Sequence, residues 1–450
     1  MRRWDAHQLA RAAGARLVRE ATAAGGPARV TIDSRAVGSD LLFVGLPGER
    51  VDGGSFASAA LDAGAWGVLV ATEHAERVLG SGSGHGAVLA ADEPLAALQQ
   101  LATAWRRQLG AQVIGVTGST GKTSTKDLLL GVLSPQRATV ASQANFNTEI
   151  GLPLQILGAP EGTEVLVLEM GMRGPGQIAE LARIAEPDVG VIVSIGPVHL
   201  ELLGTIEAIA AAKAELIAGL APGAAAVVPA GEQLLEPHLR GDLRTITFGP
   251  GGDVQILSED LAHVEIDAAG ERIGLDVDFS EAHLRLDLLA AVAAARAVGV
   301  VPGGRLELAL SPGRGQRHAL PGGVTLIDDA YNANPMSMRA ALDALASTPA
   351  GGRRIAVLGD MLELGPTADS FHREIGAHAD GIADVLVTVG PLATVMAEGF
   401  QGEHHPAPDA ETAAAVLAGL VQPGDVVLVK ASNGVGLKLV CEKLMAATPA

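Results

Sequence analysis

The chain has 450 residues, of which 48% are hydrophobic, and a formal net charge of −19. Its length favours two to four domains, and its acidic balance argues against non-specific binding to nucleic acid or anionic lipid. No apolar run approaches a bilayer-spanning length, the N-terminus lacks the apolar region of a signal peptide, and the lone Cys441 excludes an intramolecular disulfide. We therefore expect a cytoplasmic protein without membrane insertion.

Residues 1–105 mix short strands and helices, which predicts a small mixed α/β domain. Apolar runs at 30–32 and 42–44 indicate strands. Residues 56–63 have helical periodicity and are followed by Gly64, a residue type that commonly terminates helices. The Gly/Ser-rich stretch 80–86 is expected to be a loop.

Residues 106–310 alternate strand and helix patterns, which predicts a doubly wound, mainly parallel sheet covered on both faces. Strands are predicted at 113–116, 165–168 and 189–194, and helices at 123–133, 176–185 and 205–220. Period-two alternation over 245–279 predicts added antiparallel strands, and a buried Ala-rich helix follows at 284–298. Ligands of such sheets lie beyond the carboxyl ends of the strands.

The most informative stretch is Val113-Ile-Gly-Val-Thr-Gly-Ser-Thr-Gly-Lys-Thr-Ser-Thr-Lys126, a Gly-rich loop between a predicted strand and a predicted helix. Such a loop can surround a triphosphate with N–H groups, while Lys122 supplies an ammonium and Thr123 a hydroxyl ligand for Mg²⁺. The strict phosphate-loop pattern has Gly where this chain has Val116, so the motif is a variant. A Gly-rich turn that touches no ligand is the alternative. The Lys–Thr pair at the helix start favours a nucleoside triphosphate site.

Three further residues stand where a parallel sheet carries catalytic groups. Glu169 follows a buried strand and could bind Mg²⁺ or cap the next helix, and the sequence leaves both roles open. His199 follows the next strand, and a lone histidine is more often structural than a ligand. Lys213 lies within the apolar stripe of the helix predicted at 205–220, so its amine must be paired, neutral, modified as a carbamate, or extended to water. Taken alone, the pattern favours the last of these.

Residues 311–450 predict a second doubly wound unit after a Pro-Gly-rich interdomain linker at 302–323. Its strands are predicted at 324–327, 354–358, 385–389 and 426–429. The string Ile327-Asp-Asp-Ala-Tyr-Asn-Ala-Asn-Pro335 places two acids, two amides and the only tyrosine after the first strand. A second acidic loop, 359–365, follows the next one. Loops at strand ends in both units are expected to face each other across a cleft.

Taken together, these strings resemble the Mur ligase family over nearly the whole chain. The matching strings lie at 31–35, 46–49, 115–123, 145–153, 169–172, 196–201, 212–215, 313–314, 328–335 and 359–365. The phosphate loop is common to Mur ligases and folylpolyglutamate synthases, whereas the last two strings are more specific to the activity that adds D-alanyl-D-alanine. The resemblance implies a UDP-substrate domain (1–105), an ATP-binding central domain (106–310) and a C-terminal Rossmann-like domain (311–450) that binds nucleotide and the incoming dipeptide.

The resemblance also implies a reaction in peptidoglycan precursor synthesis. ATP phosphorylates the terminal carboxylate of UDP-N-acetylmuramoyl-tripeptide, the amine of D-alanyl-D-alanine attacks the acyl phosphate, and an amide, ADP and phosphate result. Phosphoryl transfer is catalysed mainly by positioning and charge neutralisation, which suits the loop residues described above. ATP and Mg²⁺ are the expected cofactors, small molecules rather than nucleic acid are the expected partners, and a monomer is expected.

By the same resemblance, each candidate residue receives a role. The catalytic residues are Lys122, His199 and Lys213. The ATP-binding residues are Gly118, Ser119, Thr120, Gly121, Lys122, Thr123, Ser124, Asp287, Arg314, Asp329 and Asn332. The substrate-binding residues are Ser34, Arg35, Asn145, Asn147, Thr148, Tyr331 and Asn334. The metal ligands are Thr123 and Glu169 for one Mg²⁺, and His199 and carbamylated Lys213 for a second.

Three positions depart from the family pattern. Asp287 stands where Asn is usual, Ala431 replaces the glycine of Lys-Gly-Ser, and Gly54 replaces the histidine of Asp-Gly-His. Three other interpretations exist: a folylpolyglutamate synthase, a phosphate-loop ATPase or GTPase switch, and a binding-only homologue. The strings specific to D-alanyl-D-alanine addition argue against a folylpolyglutamate synthase. Lys213 in an apolar stripe and the second Rossmann-like unit argue against an ATPase or GTPase switch. The intact catalytic set argues against a binding-only homologue.

Overall fold

The protein was analysed as a computed structural model, which describes residues 4–22, 25–36, 38–143 and 145–446. Three open α/β sheets of mostly parallel strands succeed one another along the chain. Within the described ranges, no helix is both long enough and apolar enough to cross a membrane. The predicted α/β fold, with three successive parts, is confirmed.

The N-terminal unit contains a five-stranded sheet and its helices. Its elements are α1 (Ala6–Ala12), β1 (Arg16–Arg19), β2 (Arg29–Thr31), β3 (Leu41–Val44), α2 (Ala57–Asp62), β4 (Gly67–Ala71), α3 (Thr72–Ser81), β5 (Ala87–Ala91) and α4 (Pro94–Leu109). The strand order is β1-β5-β4-β3-β2, with only the edge strand β1 antiparallel to its neighbour. The strands predicted at 30–32 and 42–44 and the helix at 56–63 are confirmed. The loop predicted at 80–86 starts later, because α3 continues to Ser81 and ends at Gly82 with φ +68°.

The central unit contains a ten-stranded sheet. Its elements are β6 (Gln112–Thr117), α5 (Lys122–Leu133), β7 (Thr139–Ala141), α6 (Gly151–Gly158), β8 (Val165–Glu169), α7 (Gln177–Ala185), β9 (Val189–Ile192), α8 (Leu200–Leu203), α9 (Ile206–Ala218), β10 (Ala225–Pro229), β11 (Arg244–Phe248), β12 (Val254–Glu259), β13 (His263–Ala268), β14 (Glu271–Val277), α10 (Ala282–Ala297) and β15 (Gly304–Leu306). The order is β15-β14-β13-β12-β11-β10-β9-β6-β8-β7. Strands β12, β13 and β14 form the predicted antiparallel extension, while β11 is parallel to β10.

The C-terminal unit contains a six-stranded sheet. Its elements are β16 (Gln316–Leu320), β17 (Val324–Asp329), α11 (Pro335–Ser347), β18 (Arg354–Gly359), α12 (Ala368–Ala379), β19 (Val385–Val389), β20 (Glu403–Ala407), α13 (Ala410–Leu420), β21 (Val426–Lys430) and α14 (Lys438–Ala446). The order is β16-β17-β21-β18-β19-β20, with only β16 antiparallel. The linker predicted at 302–323 is wrong over part of its length, because β15 extends the central sheet and β16 pairs with β17.

The first two units share one apolar core. Leu42 and Leu98 belong to the same buried cluster as Leu152 and Leu181 of the central unit. Helix α4 contributes to that continuity, since Trp105 Nε1 donates to the Ala159 carbonyl at 3.1 Å. The boundary predicted at residue 105 therefore falls within a helix that packs against both units.

Candidate functional site

The phosphate loop joins the carboxyl end of β6 to α5 and is held by the segment after β9. Ser119 N donates to the Ser194 carbonyl and Thr120 N to Ser194 Oγ, both at 2.9 Å. Gly121 has φ +81°, and a Cβ there would lie 2.4 Å from Asp287 Oδ1. The turn therefore requires glycine, and the loop is held in shape before any ligand binds.

Lys122 and Lys213 converge on one backbone carbonyl of this loop. Their Nζ atoms donate to the Gly118 oxygen at 2.6 and 3.0 Å. Burial, and secondarily the charge of Lys122, lowers the pKa of Lys213 well below its ordinary value, and burial also lowers the pKa of Lys122. The interpretation in which the head of Lys213 reaches water is wrong, because the residue is only 2% exposed. Two buried amines therefore lie side by side at the phosphate loop, and the neutral form of Lys213 is favoured.

Glu169 closes the carboxyl end of β8 beside the start of α5. Its Oε2 accepts a hydrogen bond from Thr123 Oγ1 at 2.9 Å, and its Oε1 accepts one from Asn147 Nδ2 at 2.8 Å. The capping role is instead performed by Glu215 of α9, which accepts from the N–H groups of Gly176 and Ala179 at the start of α7. The hydroxyl and carboxylate oxygens brought together by Thr123 and Glu169 are the donor types that Mg²⁺ prefers.

His199 precedes α8 and contacts the C-terminal unit. Its Nδ1 is hydrogen-bonded to Glu363 Oε2, and Glu363 Oε1 accepts from Arg173 Nη2 at 2.6 Å. Burial lowers the pKa of His199, although Glu363 acts in the opposite direction. No described residue forms a hydrogen bond with His199 Nε2, so the neutral ring retains one nitrogen for a ligand.

These groups line one cavity of about 680 Å³ between the central and C-terminal units. Asn334 caps α11 and also donates from Nδ2 to the Ser119 carbonyl at 3.4 Å. The guanidinium carbon of Arg314 lies 4.1 Å from the centre of the Tyr331 ring. The cleft predicted between the strand-end loops of the two units is confirmed.

A second cavity of about 680 Å³ lies on the other side of the phosphate loop. Both cavities are lined by Thr120, Gly121, Thr123, Arg314 and Ser337. In the second cavity, Asp329 Oδ2 accepts from the buried Lys430 Nζ at 2.6 Å. The phosphate loop thus separates two adjoining spaces that one elongated ligand could occupy together.

Family models match most of the chain. The model described as Mur ligase family, catalytic domain, matches residues 28–111, the Mur ligase middle domain matches 116–295, and the Mur ligase, glutamate ligase domain, matches 313–433. A Bacillus subtilis (strain 168) protein named UDP-N-acetylmuramoyl-tripeptide–D-alanyl-D-alanine ligase is 38% identical over 432 residues, which cover 92% of this chain and 93% of the relative. The chain belongs to the Mur ligase family.

Solved structures of relatives have the same fold as this Mur ligase over almost the whole chain. A crystal structure of MurF from Acinetobacter baumannii has a TM-score of 0.85 and 28% identity, and covers 98% of this chain and 99% of that one. The MurF ligase from Thermotoga maritima in complex with ADP has a TM-score of 0.80 and 30% identity, and covers 93% and 97%.

The Mur ligase fold brings most predicted site residues together. The first cavity is lined by Ser119, Thr120, Gly121, Lys122, Thr123, Asn147, Thr148, Glu169, His199, Lys213, Arg314, Tyr331, Asn332 and Asn334. Ser124, Asp287 and Asp329 line the second. Gly118, Ser34, Arg35 and Asn145 line neither. Arg35 is exposed and paired with Asp33 in the N-terminal unit, and Asn145 is exposed.

The predicted set omitted several polar residues that line the two cavities. Glu363, Arg173 and Lys430 make the contacts described above, and His283 lines the second cavity. The acidic string at 359–365 was a usable signal for Glu363. The string Lys430-Ala-Ser432, which resembles the Lys-Gly-Ser pattern of the family, was a usable signal for Lys430. Nothing local marks Arg173 or His283.

Asp287 of α10 is buried against the phosphate loop of this Mur ligase. Burial raises the pKa of its carboxyl well above the ordinary value, and the hydrogen bond with Ser124 only partly opposes this. The folded state therefore holds a proton that the unfolded chain releases at a lower pH. Asparagine would present a similar shape without this ionisation.

We expect the stability of the wild type to fall relative to Asp287→Asn as pH rises from the unfolded carboxyl pKa towards the raised folded value. The sign follows because the native state binds more protons than the unfolded state in that window, so the free energy of unfolding decreases by up to about 1.4 kcal/mol per pH unit. Paired denaturant melts of both proteins across pH measure the difference. A pH-independent difference would contradict the prediction.

Proposed function

We propose that this Mur ligase uses ATP to join D-alanyl-D-alanine to UDP-N-acetylmuramoyl-tripeptide, through an acyl phosphate, in peptidoglycan precursor synthesis. The observation that carries the reaction class is the cavity in which Lys122, Lys213 and Glu169 of the central unit face Tyr331 and Asn334 of the C-terminal unit. The choice of substrates is supported by the names of the relatives that match over nearly their full length.

The nucleotide is proposed to span both cavities with its phosphates at the loop between them. Backbone N–H groups at 121–124, at the start of α5, and the Lys122 ammonium bind the β- and γ-phosphates, which removes the need for water to stabilise that charge. Asp287, Arg314, Asp329 and Asn332 hold the rest of the nucleotide. Closely placed cations favour the phosphoryl transfer by neutralising charge that spreads over the transferred group.

The residues present fit Mg²⁺ to different degrees. Thr123 and Glu169 supply oxygen atoms 2.9 Å apart and fit one ion directly. His199 and Lys213 fit a second only if Lys213 is modified, because an amine with a bound proton repels a cation. A neutral Lys213 amine can add CO₂ and release a proton to form a carbamate, whose oxygens are anionic. Bound Mg²⁺ would supply neutralising charge at the phosphates and the acyl phosphate.

The peptide substrates are proposed to meet in the first cavity. The tripeptide carboxylate is placed by Asn147 and Thr148, and its oxygen attacks the γ-phosphorus as ADP departs. Asn145, which lines neither cavity, is proposed to contact a more distant part of the tripeptide substrate. Tyr331 and Asn334 position the incoming dipeptide, whose amine attacks the acyl carbon, loses a proton and displaces phosphate. Ser34 and Arg35 are proposed to contact the distant UDP group, which suits their position outside both cavities.

The division of labour follows the three units. We propose that residues 1–105 bind the UDP substrate, 106–310 bind ATP, and 311–450 bind nucleotide and dipeptide. The enzyme is proposed to act in the cytoplasm, as a monomer, with Mg²⁺. Ala431, which replaces the glycine of the family's Lys-Gly-Ser pattern, is buried next to the Lys430–Asp329 pair. This substitution is compatible with the proposed function.

The proposal is tested by phosphate release from ATP with purified protein, Mg²⁺ and UDP-N-acetylmuramoyl-tripeptide, with and without D-alanyl-D-alanine. We expect release that depends on the dipeptide and a pentapeptide product detected by mass spectrometry. Both common tripeptides, which differ in the third residue, should be assayed. Absence of coupled release with both tripeptides would refute the substrate assignment, and folylpolyglutamate-type acceptors would be tested next.

A further inference from the structure

Glu363 of the C-terminal unit contacts the central unit through both its carboxylate and its backbone carbonyl. Its carboxylate contacts His199 Nδ1 and Arg173 Nη2, the latter at 2.6 Å. Its backbone carbonyl accepts from Glu201 N at 3.1 Å. Arg173 follows β8 and His199 follows β9, so one side chain connects two strand-end segments across the unit boundary. The three residues Glu363, His199 and Arg173 are termed the clasp.

Two residues of the clasp, Glu363 and His199, have an unusual backbone conformation. Glu363 has φ +63° and His199 has φ +53°, and only four described non-glycine residues have positive φ. This region is disfavoured for residues with a Cβ, so surrounding contacts must hold it. The next loop residue that packs here, Gly365, would place a Cβ 3.2 Å from Glu201 Cα, which shows how closely the two loops approach. Two of these four positions therefore lie on facing loops where the two units meet.

The clasp also determines how the His199 ring is used. A carboxylate on Nδ1 fixes the ring orientation and leaves Nε2 for the cavity, which is the arrangement that metal-binding histidines commonly have. The orienting carboxylate comes from a different unit than the ring. Separation of the C-terminal unit would therefore remove the partner of His199 as well as open the cavity.

We propose that Glu363 is a positioning residue that couples closure of the C-terminal unit to the orientation of His199, a role that rests on the proposed function. In the closed arrangement, Glu363 orients the His199 ring so that Nε2 faces the cavity, and Tyr331 and Asn334 lie beside the phosphate loop. Arg173 holds the second carboxylate oxygen, so that rotation of the Glu363 side chain away from His199 is opposed by a charged hydrogen bond.

Small-angle scattering of the ligand-free protein tests the closure half of this proposal. Glu363→Gln keeps the side-chain size but removes the charge that binds Arg173, and we expect a larger radius of gyration than in the wild type. Glu374→Gln is the matched control, because Glu374 also pairs with an arginine at 2.6 Å, but with Arg339 of its own unit. The control is expected to keep the wild-type radius. Should Glu363→Gln melt early, the exposed Arg173→Gln variant takes its place.

Mn²⁺ binding in the presence of ADP, followed by electron paramagnetic resonance, tests the orientation half. We expect the weaker Mn²⁺ site to lose about 10- to 100-fold in affinity in Glu363→Gln and to be unchanged in Glu374→Gln. The proposed role of Glu363 would be overturned if the wild type is an active ligase and Glu363→Gln keeps both the wild-type radius of gyration and the wild-type Mn²⁺ affinity. An inactive wild type whose radius still depends on Glu363 would instead refute the proposed function alone.

Discussion

Replacing Lys213 by methionine is expected to lower dipeptide-dependent phosphate release by about 100- to 1,000-fold, the effect of losing a charged group that stabilises a transition state. The amine is buried beside the Gly118 carbonyl and its pKa is lowered mainly by burial, so it is available in the neutral form that reacts with CO₂. Methionine has a similar length and no amine, so folding should not suffer. The measurement is kcat for phosphate release together with the melting temperature.

A carbamate on Lys213 would make the activity of the wild type depend on CO₂. Activity should fall in CO₂-depleted buffer and return when bicarbonate is added, whereas Lys213→Met should not respond. Carbon-13 bicarbonate should give a carbamate resonance in the wild type only. Lys438→Met is the control, because Lys438 is an exposed lysine paired with Glu442 on α14. Full activity of Lys213→Met would eliminate the residue from the mechanism, and a wild type indifferent to CO₂ would eliminate the carbamate.

Much of the fold could be predicted because its signals are local. The buried strands β8, β19 and β21 are short apolar runs. Helix α10 is a long Ala-rich run whose residues are mostly buried. Strands such as β20, Glu-His-His-Pro-Ala, carry no apolar run and gain their structure from pairing with β19. The linker prediction failed for the same reason, since β15 and β16 are defined by the sheets they join.

The site divides along a similar line. Lys122 and Thr123 are fixed by one loop, so the motif predicts their neighbourhood from sequence spacing alone. The role of Glu169 could not be decided in that way, because the competing explanation depended on which acid caps α7. Glu215 of α9 does so, and it lies far from Glu169 in sequence. Contacts between units, such as that of Glu363 with His199, depend on domain placement and leave no periodic signal.

Thr123→Val is expected to lower Mg²⁺-dependent phosphate release by about 100-fold or more and to raise the Mg²⁺ concentration needed for half-maximal rate. Valine preserves the shape of the side chain and removes only the hydroxyl that lies 2.9 Å from Glu169 Oε2. Loss of that oxygen leaves Glu169 without its partner in the proposed metal-binding pair. Rates measured over a Mg²⁺ titration separate a weaker metal site from a weaker nucleotide site.

Thr125→Val supplies a control on the same helix. Thr125 is fully buried, and its Oγ1 has no hydrogen-bond partner among the described residues. Removing this hydroxyl should leave the Mg²⁺ titration unchanged and should stabilise the fold by about 1 kcal/mol, since an unsatisfied buried polar atom is destabilising. The two variants make the same chemical change two residues apart, so a difference between them reflects the position of the Thr123 oxygen. Equal Mg²⁺ titrations for both variants would show that Thr123 is not a metal ligand.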